Sequence, residues 1–388
     1  MIAVIADDLT GAGELGGIGL RYHLNVEIGT RVDPLTKADL LIIATDTRSK
    51  ELNEALQDMR SILVMLDYMA PELVYKKVDS VLRGHILAEI HQQMELSGQK
   101  RALLVPANPR MGRVIRDGTY YLNGRMLHET GFRTAPGYSI TSSRVTDILE
   151  KQPLPKAILA KPGDIFPEKG IIVGEASGTA DLRYWLEKAD RECLLAGAAE
   201  FFQELLAFKG LTAGEDGPQG PSPDWGTKML LVCGSAFSAS RQAVAGALAA
   251  GAPVAMMPPG LRGDADEDSD ACEERWAREA LALFEKHDRV VISPGAGAEH
   301  PDRALAKRIS RHVARTVRRI ILETPVGELM LEGGATASAV LRELGVERCY
   351  PRQEVSHGVI RMELPDRPGL HITLKPGSYP WPSSIWNF

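Results

Sequence analysis

Residues 1–16 read MIAVIADDLTGAGELG, and this stretch decides the fold. Residues 1–6 are short, uninterrupted and apolar, as a strand covered on both faces must be. Asp7, Asp8 and Thr10 then bring acids and a hydroxyl, and from Thr10 onward small residues open a helix. A buried strand passing through a polar loop into a helix is the first step of a parallel α/β sheet. The rhythm continues outward from there. Apolar runs at 40–44, 61–66 and 102–106 read as strands, with amphipathic stretches at 53–60 and 84–96 between them. Segments 171–174 and 192–196 repeat the pattern, each followed by a helix, at 180–189 and 198–208.

Between 210 and 227 the composition shifts to Gly, Pro, Asp and Ser, which marks an exposed connection. The pattern then restarts with strands at 229–233, 254–257, 290–293, 329–331 and 371–374. Helices are expected at 238–250, 273–286, 301–322 and 336–344. The expected architecture is α/β: two doubly wound α/β domains with a ligand cleft between them. The domains would cover 1–215 and 229–388, joined by a linker at 216–228. Ligands of such sheets sit at the carboxyl ends of strands, so chemistry is sought in the loops that follow them.

The bulk properties narrow the class. A chain of 388 residues exceeds what one core usually serves. Apolar residues at 44% and charged residues at 25% are ordinary for a soluble enzyme. A net charge of −6 argues against nucleic-acid or membrane-surface partners, which favour basic faces. No apolar run approaches the roughly 20 residues of a bilayer span, and the first residues lack the basic start of a signal peptide. Cys193, Cys233, Cys272 and Cys349 are far apart, without a CxxC pair. Reduced thiols in a cytoplasmic protein are therefore expected.

Two adjacent carboxylates, Asp7 and Asp8, repel each other unless something cationic or hydroxylic binds there. Asp8 or Thr10 is a natural helix cap, but capping does not occupy both aspartates, leaving one for substrate or metal. Gly11, Gly13 and Gly16 formally match GxGxxG, which keeps a nicotinamide-dependent hydroxy-acid oxidoreductase as an alternative. The acids preceding those glycines would repel a pyrophosphate. The segment 76–85, KKVDSVLRGH, puts Lys77, Asp79, Ser80 and Arg83 in one strand-to-helix loop. Arg83 can fork onto a carboxylate and Asp79 can accept from hydroxyls, so the mixture suits a carboxylated polyol. The alternative is an internal Lys77–Asp79 or Asp79–Arg83 ion pair with Ser80 as a cap. Two prolines at 106 and 109 stiffen a loop from which Arg110 and Arg113 project.

The second half carries glycine loops of another kind. CGSAFSAS at 233–240 and EGGATA at 332–337 each run from a strand into a helix, and SPGAG at 293–297 is a third loop. Amides at such helix starts hold phosphate without a lysine. GxxxxGK[ST] is absent, so these loops suggest a nucleotide site of a non-P-loop type. The nine histidines form neither HxxxH nor HExxH, and no GxSxG elbow is present.

Taken together, ADDLTGA at 6–12, KVDSVLRG at 77–84, PANPRMGR at 106–113, CGSAFSASRQ at 233–242 and GGATASAVL at 333–341 resemble the four-carbon acid sugar kinase family. The resemblance implies an N-terminal domain for sugar acids such as threonate, erythronate or 3-oxo-tetronate, and a C-terminal domain for ATP with Mg²⁺. It implies phosphorylation at a terminal hydroxyl. The substrate residues would be Asp7, Asp8, Thr10, Lys77, Asp79, Ser80, Arg83 and Arg113. The nucleotide residues would be Gly234, Ser235, Ser240, Gly295, Gly333, Gly334, Thr336, Lys375 and Gly377. Asp8 or Asp79 would take the hydroxyl proton, while Lys77, Lys375 or Mg²⁺ offsets phosphate charge. The family's acid after the paired glycines is Ala335 here, and Pro376 follows Lys375. Those two departures keep open a sugar-acid sensor with a degraded ATP site. A homodimer is the assembly considered.

Overall fold

The computed structural model of the chain describes residues 1–134, 139–152, 156–214, 225–226, 228–263, 269–295 and 303–388. Most of the expected linker, and the end of the SPGAG loop, lie outside the described residues. The described residues form two compact domains, up to 214 and from 225.

The N-terminal domain opens with β1 (Ile2–Ala6), α1 (Leu9–Arg21), β2 (Val26–Gly29), β3 (Leu40–Ala44), α2 (Leu52–Met69), β4 (Leu73–Lys77), α3 (Ile86–Ser97) and β5 (Arg101–Val105). Three short strands follow, β6 (Arg113–Arg116), β7 (Thr119–Leu122) and β8 (Arg125–Met126). The domain closes with α4 (Val145–Glu150), β9 (Ala157–Ala160), β10 (Gly170–Gly174), α5 (Thr179–Lys188), β11 (Cys193–Gly197) and α6 (Ala199–Phe208). The sheet order is β2-β3-β1-β4-β11-β5-β10-β9, with every neighbouring pair parallel.

Alternate strand residues face opposite sides, and both sides of this sheet are covered. Ala3, Ile5, Leu41 and Ile43 pack with Met59, Ile62, Leu63 and Leu66 of α2. On the other side, Gly19 of α1 lies against the side chains of Val26 and Leu40. The run at 61–66, counted among the strands from its composition, is the second half of α2 instead. Its buried residues, Ala55, Met59, Ile62, Leu63 and Leu66, keep helical spacing through the whole segment. The strand belonging there is β4, which begins at Leu73, seven residues after the run ends at Leu66. A small antiparallel sheet, β6-β7-β8, stands apart from the parallel one and was not foreseen.

The C-terminal domain runs β12 (Met229–Cys233), α7 (Ser238–Ala249), β13 (Val254–Met256), α8 (Ser269–Phe284), β14 (Arg289–Ser293), α9 (Arg303–Glu323), β15 (Glu328–Glu332), α10 (Gly334–Glu343), β16 (Arg348–Ser356), β17 (Val359–Glu363) and β18 (His371–Lys375). Its strand order is β13-β14-β12-β15-β18-β17-β16. The first five are parallel, whereas β17 is antiparallel to both of its neighbours, β18 and β16. That antiparallel part departs from a purely doubly wound expectation. Val244 and Ala247 of α7 join Met229, Leu231, Cys233, Val291 and Met330 in the core. Among the described residues, no helix is long and apolar enough to cross a membrane.

Gly197 closes β11 between β4 and β5, where a Cβ would come within 2.4 Å of the Val105 carbonyl oxygen and 2.9 Å of the Tyr75 hydroxyl. Backbone cannot step aside as a flexible side chain can. Gly197→Ala is expected to destabilise the protein by about 1–3 kcal/mol, read as a lower urea midpoint. An unchanged midpoint would contradict this packing.

Candidate active site

Register brings the first group of residues together. Ala6 of β1 pairs with Ala44 of β3 and with Lys77 of β4. Three chain segments therefore leave the sheet at one level, starting at Asp7, Thr45 and Val78. The Thr45 amide donates to the Ala6 carbonyl and the Arg48 amide to the Asp7 carbonyl, which stitches two of these loops.

Arg48 is the hub. Its Nε donates to Asp7 Oδ2 at 2.9 Å, and Nη2 reaches Asp7 Oδ1 at 2.8 Å and Asp8 Oδ1 at 3.1 Å. Nη1 lies 3.5 Å from Asp79 Oδ1. Asp8 is also the N-cap of α1, accepting from the Gly11 amide at 3.0 Å, while Thr10 donates to its other oxygen. Capping and ion pairing are thus combined in one aspartate. Arg83 forks onto Asp79, with Nε and Nη2 each at 2.8 Å, so the internal pair considered from sequence does form. Arg113 donates to the Ser80 hydroxyl, and the Tyr120 hydroxyl donates to the Ser80 carbonyl at 2.6 Å. Both Arg83 and Arg113 lie near the Phe132 ring, at 5.3 and 6.0 Å from its centroid. Leu82, between Ser80 and Arg83's loop end, holds φ at 64°, an uncommon conformation for a branched side chain and a form of strain found at working loops.

Lys77 Nζ donates to the Val78 carbonyl at 2.9 Å and lies 4.0 Å from Glu14 Oε2. A Cβ on Gly11 would meet Asp8 Oδ1 at 2.6 Å and Lys77 Nζ at 3.1 Å, so glycine lets Lys77 reach the start of α1. Its neighbour Lys76 points the other way and pairs with Glu89 of α3 at 2.6 Å, both fully buried. Arg110 does not join the cluster: it turns toward Glu200 and Glu204 of α6.

Burial and neighbouring charge sort the acids. Burial opposes the Asp79 anion, but Arg83 and Arg48 outweigh it and hold the carboxyl far below the usual range. Asp79 is thus held as an anion with both oxygens on Arg83. For Asp8 burial again raises the pKa, and Arg48, Lys77 and the Thr10 hydroxyl together bring it below the ordinary value. Asp7 goes up instead, through burial that its pair with Arg48 does not fully offset and through the charge of Asp8. The side chain of Asp8 keeps 11% of its surface exposed and that of Asp7 only 4%, which makes Asp8 the reachable one.

Arg48 was missed from sequence. The rule applied to other strands, to look in the loop just after, also covers 45–48 (TDTR), and an arginine there facing two acids after β1 was the available signal.

The second group is aligned by register too. Cys233 of β12, Glu332 of β15 and Lys375 of β18 form one row across the sheet. Gly234-Ser235, Gly333-Gly334 and Pro376-Gly377 follow directly. A Cβ on Gly234 would fall 2.2 Å from Thr336 Oγ1, so these two loops touch. Ser235 Oγ donates to the Gly377 carbonyl at 3.3 Å. Gly333, at φ 88°, is the N-cap of α10 and supplies no side-chain cap; Phe237 likewise leaves the start of α7 without one. Free amides at two helix starts are what an anion needs. Gly295 stands elsewhere, against Met256 and Arg262, with its amide donating to Ser293 Oγ at 3.2 Å. Lys375, expected among the nucleotide residues, is paired within the domain. Its ammonium is 2.6 Å from Glu332 Oε1 and donates to the carbonyls of Pro376 and Tyr379, so its charge is engaged inside the domain. Ser240 donates to the other Glu332 oxygen at 2.6 Å. Gly11, Gly13 and Gly16 lie within α1, with the Gly11 amide taken by the Asp8 cap, so they make no strand-to-helix phosphate turn.

Family models described as a sugar-binding N-terminal domain and a nucleotide-binding C-terminal domain match residues 2–203 and 230–379. The chain belongs to the four-carbon acid sugar kinase family. It is 29% identical to a D-threonate kinase of Salmonella typhimurium, over 91% of this chain and 88% of that protein. It is 25% identical to a D-erythronate kinase of Heliobacterium modesticaldum, with the same coverage, and 23% to a 3-oxo-tetronate kinase of Pectobacterium atrosepticum, over 97% and 96%. The fold resembles a solved Salmonella typhimurium structure described as a putative tRNA synthase, at TM-score 0.74 and 19% identity over 99% and 97% of the two chains. It also resembles a Haemophilus influenzae protein, at TM-score 0.67 and 18% identity over 97% of each.

Removing the shared cation leaves three neighbouring acids without it. Arg48→Met is expected to lose about 3–5 kcal/mol of stability, measured by urea unfolding at pH 7; a loss below 1 kcal/mol would show that Arg48 is not the hub. The depressed Asp79 carboxyl stabilises the fold above its unfolded pKa, and that contribution fades as the pH drops toward its folded value. Asp79→Asn is therefore expected to be less stable than wild type at pH 7, with a gap that starts to narrow only below about pH 4 and keeps narrowing on further acidification. A gap that widens on acidification would contradict the assignment.

Proposed function

We propose that the chain is an ATP-dependent kinase that phosphorylates a hydroxyl of a four-carbon sugar acid, with threonate, erythronate and 3-oxo-tetronate as the acids to test. The observation that carries the reading is the pair Arg83 and Arg113 over the Phe132 ring, beside Asp79 and Ser80. Two guanidinium groups set against one apolar face form a receptor for a planar carboxylate. Arg113 Nε is buried without a hydrogen-bond partner among the described residues, a donor left for a ligand. Carboxylates and hydroxyls around the arginines receive the hydroxyls of the same small molecule.

Asp8 orients the attacking hydroxyl and takes its proton as transfer proceeds. Its low pKa is tolerable because a loose phosphoryl-transfer transition state asks mainly for positioning and charge stabilisation. Lys77, held at the start of α1 beside Asp8, offsets charge arriving on the transferred group. Thr10 fixes the Asp8 rotamer. The amides that open α7 and α10, reached past Gly234, Ser235, Gly333, Gly334 and Gly377, hold the phosphates of ATP. Among the described residues, no group of three or more His, Cys, Asp or Glu is arranged to hold a metal. Mg²⁺ bound with the nucleotide would neutralise phosphate charge.

Steady-state ADP release is the test, run on a panel of four-carbon acids with ATP and Mg²⁺. ADP release that depends on one of these acids is expected. Arg83→Ala and Arg113→Ala should each raise KM for the acid by about tenfold or more, the scale of one charged hydrogen bond, with KM for ATP unchanged. Asp8→Asn should mainly lower kcat. An equal rise in both KM values, or full turnover in Asp8→Asn, would remove these roles.

A further inference from the structure

Three of the glycine loops in the C-terminal domain are joined to one another beneath their backbones. Glu332 is the last residue of β15 and stands in the row between Cys233 of β12 and Lys375 of β18. It is 2% exposed, and Lys375 is 1% exposed. One Glu332 oxygen lies 2.6 Å from Lys375 Nζ, and the other accepts from the Ser240 hydroxyl at 2.6 Å. Lys375 donates onward to the carbonyls of Pro376 and Tyr379, and its ammonium faces the Trp381 ring at 5.3 Å. The Lys375 carbonyl accepts from the Gly333 amide at 2.9 Å. One carboxylate thus reaches helix α7, which opens after Gly234-Ser235, and strand β18, which ends at Pro376-Gly377. The same residue is covalently next to Gly333-Gly334.

A buried ion pair with one partner removed leaves an uncompensated charge, so its geometry is tightly held. Loops that meet within van der Waals distance, as Gly234 meets Thr336, have no slack to absorb a shift in that geometry. We propose that Glu332 is a positioning residue for the nucleotide. Through Lys375 and Ser240 its carboxylate sets the spacing of the 234–237, 333–336 and 376–379 loops, and so controls nucleotide affinity without touching the nucleotide. The inference rests on the proposed function only in assigning these loops to a nucleotide.

The discriminating experiment titrates ADP and a non-hydrolysable ATP analogue, with Mg²⁺, into the full chain by calorimetry and records Tm for each variant. Glu332→Gln keeps the shape and can still accept from Ser240, but removes the charge opposite Lys375. The pair Glu332→Leu with Lys375→Met removes both charges and relieves the unpaired-charge penalty. Ser240→Ala is a milder change at a partly exposed position and serves where the core variants do not fold. The expected result is at least a tenfold loss of nucleotide affinity in Glu332→Gln. In the double variant Tm should recover toward wild type while affinity stays low. Ser240→Ala should weaken nucleotide binding about threefold with little change in Tm.

A role in stability alone predicts the opposite pattern, with Tm falling and affinity unchanged in the folded fraction. That pattern, or wild-type affinity in the double variant, overturns the inference. If wild type binds the nucleotides and all variants bind equally, the positioning role fails while the proposed function stands. A wild type that binds neither nucleotide overturns both.

Discussion

A single guanidinium, Arg48, meets three aspartates, and the N-terminal site depends on that meeting. Asp7 and Asp8 are adjacent, and Asp79 arrives from another strand. Three buried carboxylates at the carboxyl end of neighbouring strands would repel and protonate without a cation among them. With Arg48 present, Asp8 is free to cap α1 and face outward, and Asp79 is free to anchor Arg83. The arrangement has its origin in backbone register: Ala6, Ala44 and Lys77 lie side by side, so three loops start together. Parallel pairing thus determines which side chains become neighbours, and electrostatics determines how they are held.

The C-terminal domain uses a related device with a different outcome. There too a row of residues, Cys233, Glu332 and Lys375, precedes the working loops, and there too an ion pair sits at the row. The charges are turned inward, however, and neutralised by each other. What remains facing outward is backbone: helix starts with no side-chain cap and little side-chain bulk. Such a surface suits a phosphate chain, whose charge backbone amides can meet. The first domain instead presents guanidinium, carboxylate and hydroxyl groups, which suit a small polar acid.

Much of the fold was legible in the sequence because parallel strands buried on both faces leave continuous apolar runs, as at Ile2–Ala6, Leu40–Ala44 and Met229–Cys233. The failures share a cause. The run at 61–66 is apolar enough for a strand, and only its phase with Ala55 and Met59 shows that it continues a helix. The ribbon β6-β7-β8 and the antiparallel β16 and β17 are half-exposed or irregular and carry no such run. Members of the candidate site stand out in the sequence where charged groups crowd a short segment, as at Asp7–Asp8 and Lys77–Arg83. Arg48 sits in a loop with Asp46 and Lys50 that forms no motif, and its significance depends on pairing between strands far apart in sequence. Lys375 shows the converse: its residue type suggested a phosphate contact, but its neighbour across the sheet, Glu332, takes the charge. Sequence spacing carries no information about that partner.

The central claim is that sugar acid and nucleotide are the two reactants of one transfer. Phosphorus NMR of the complete reaction, with ATP, Mg²⁺ and the preferred four-carbon acid, tests it most directly. A new phosphomonoester resonance on the acid, growing in equal measure with ADP, is expected. Inorganic phosphate appearing with ADP in place of that resonance, or no loss of ATP with any of the acids, would contradict it.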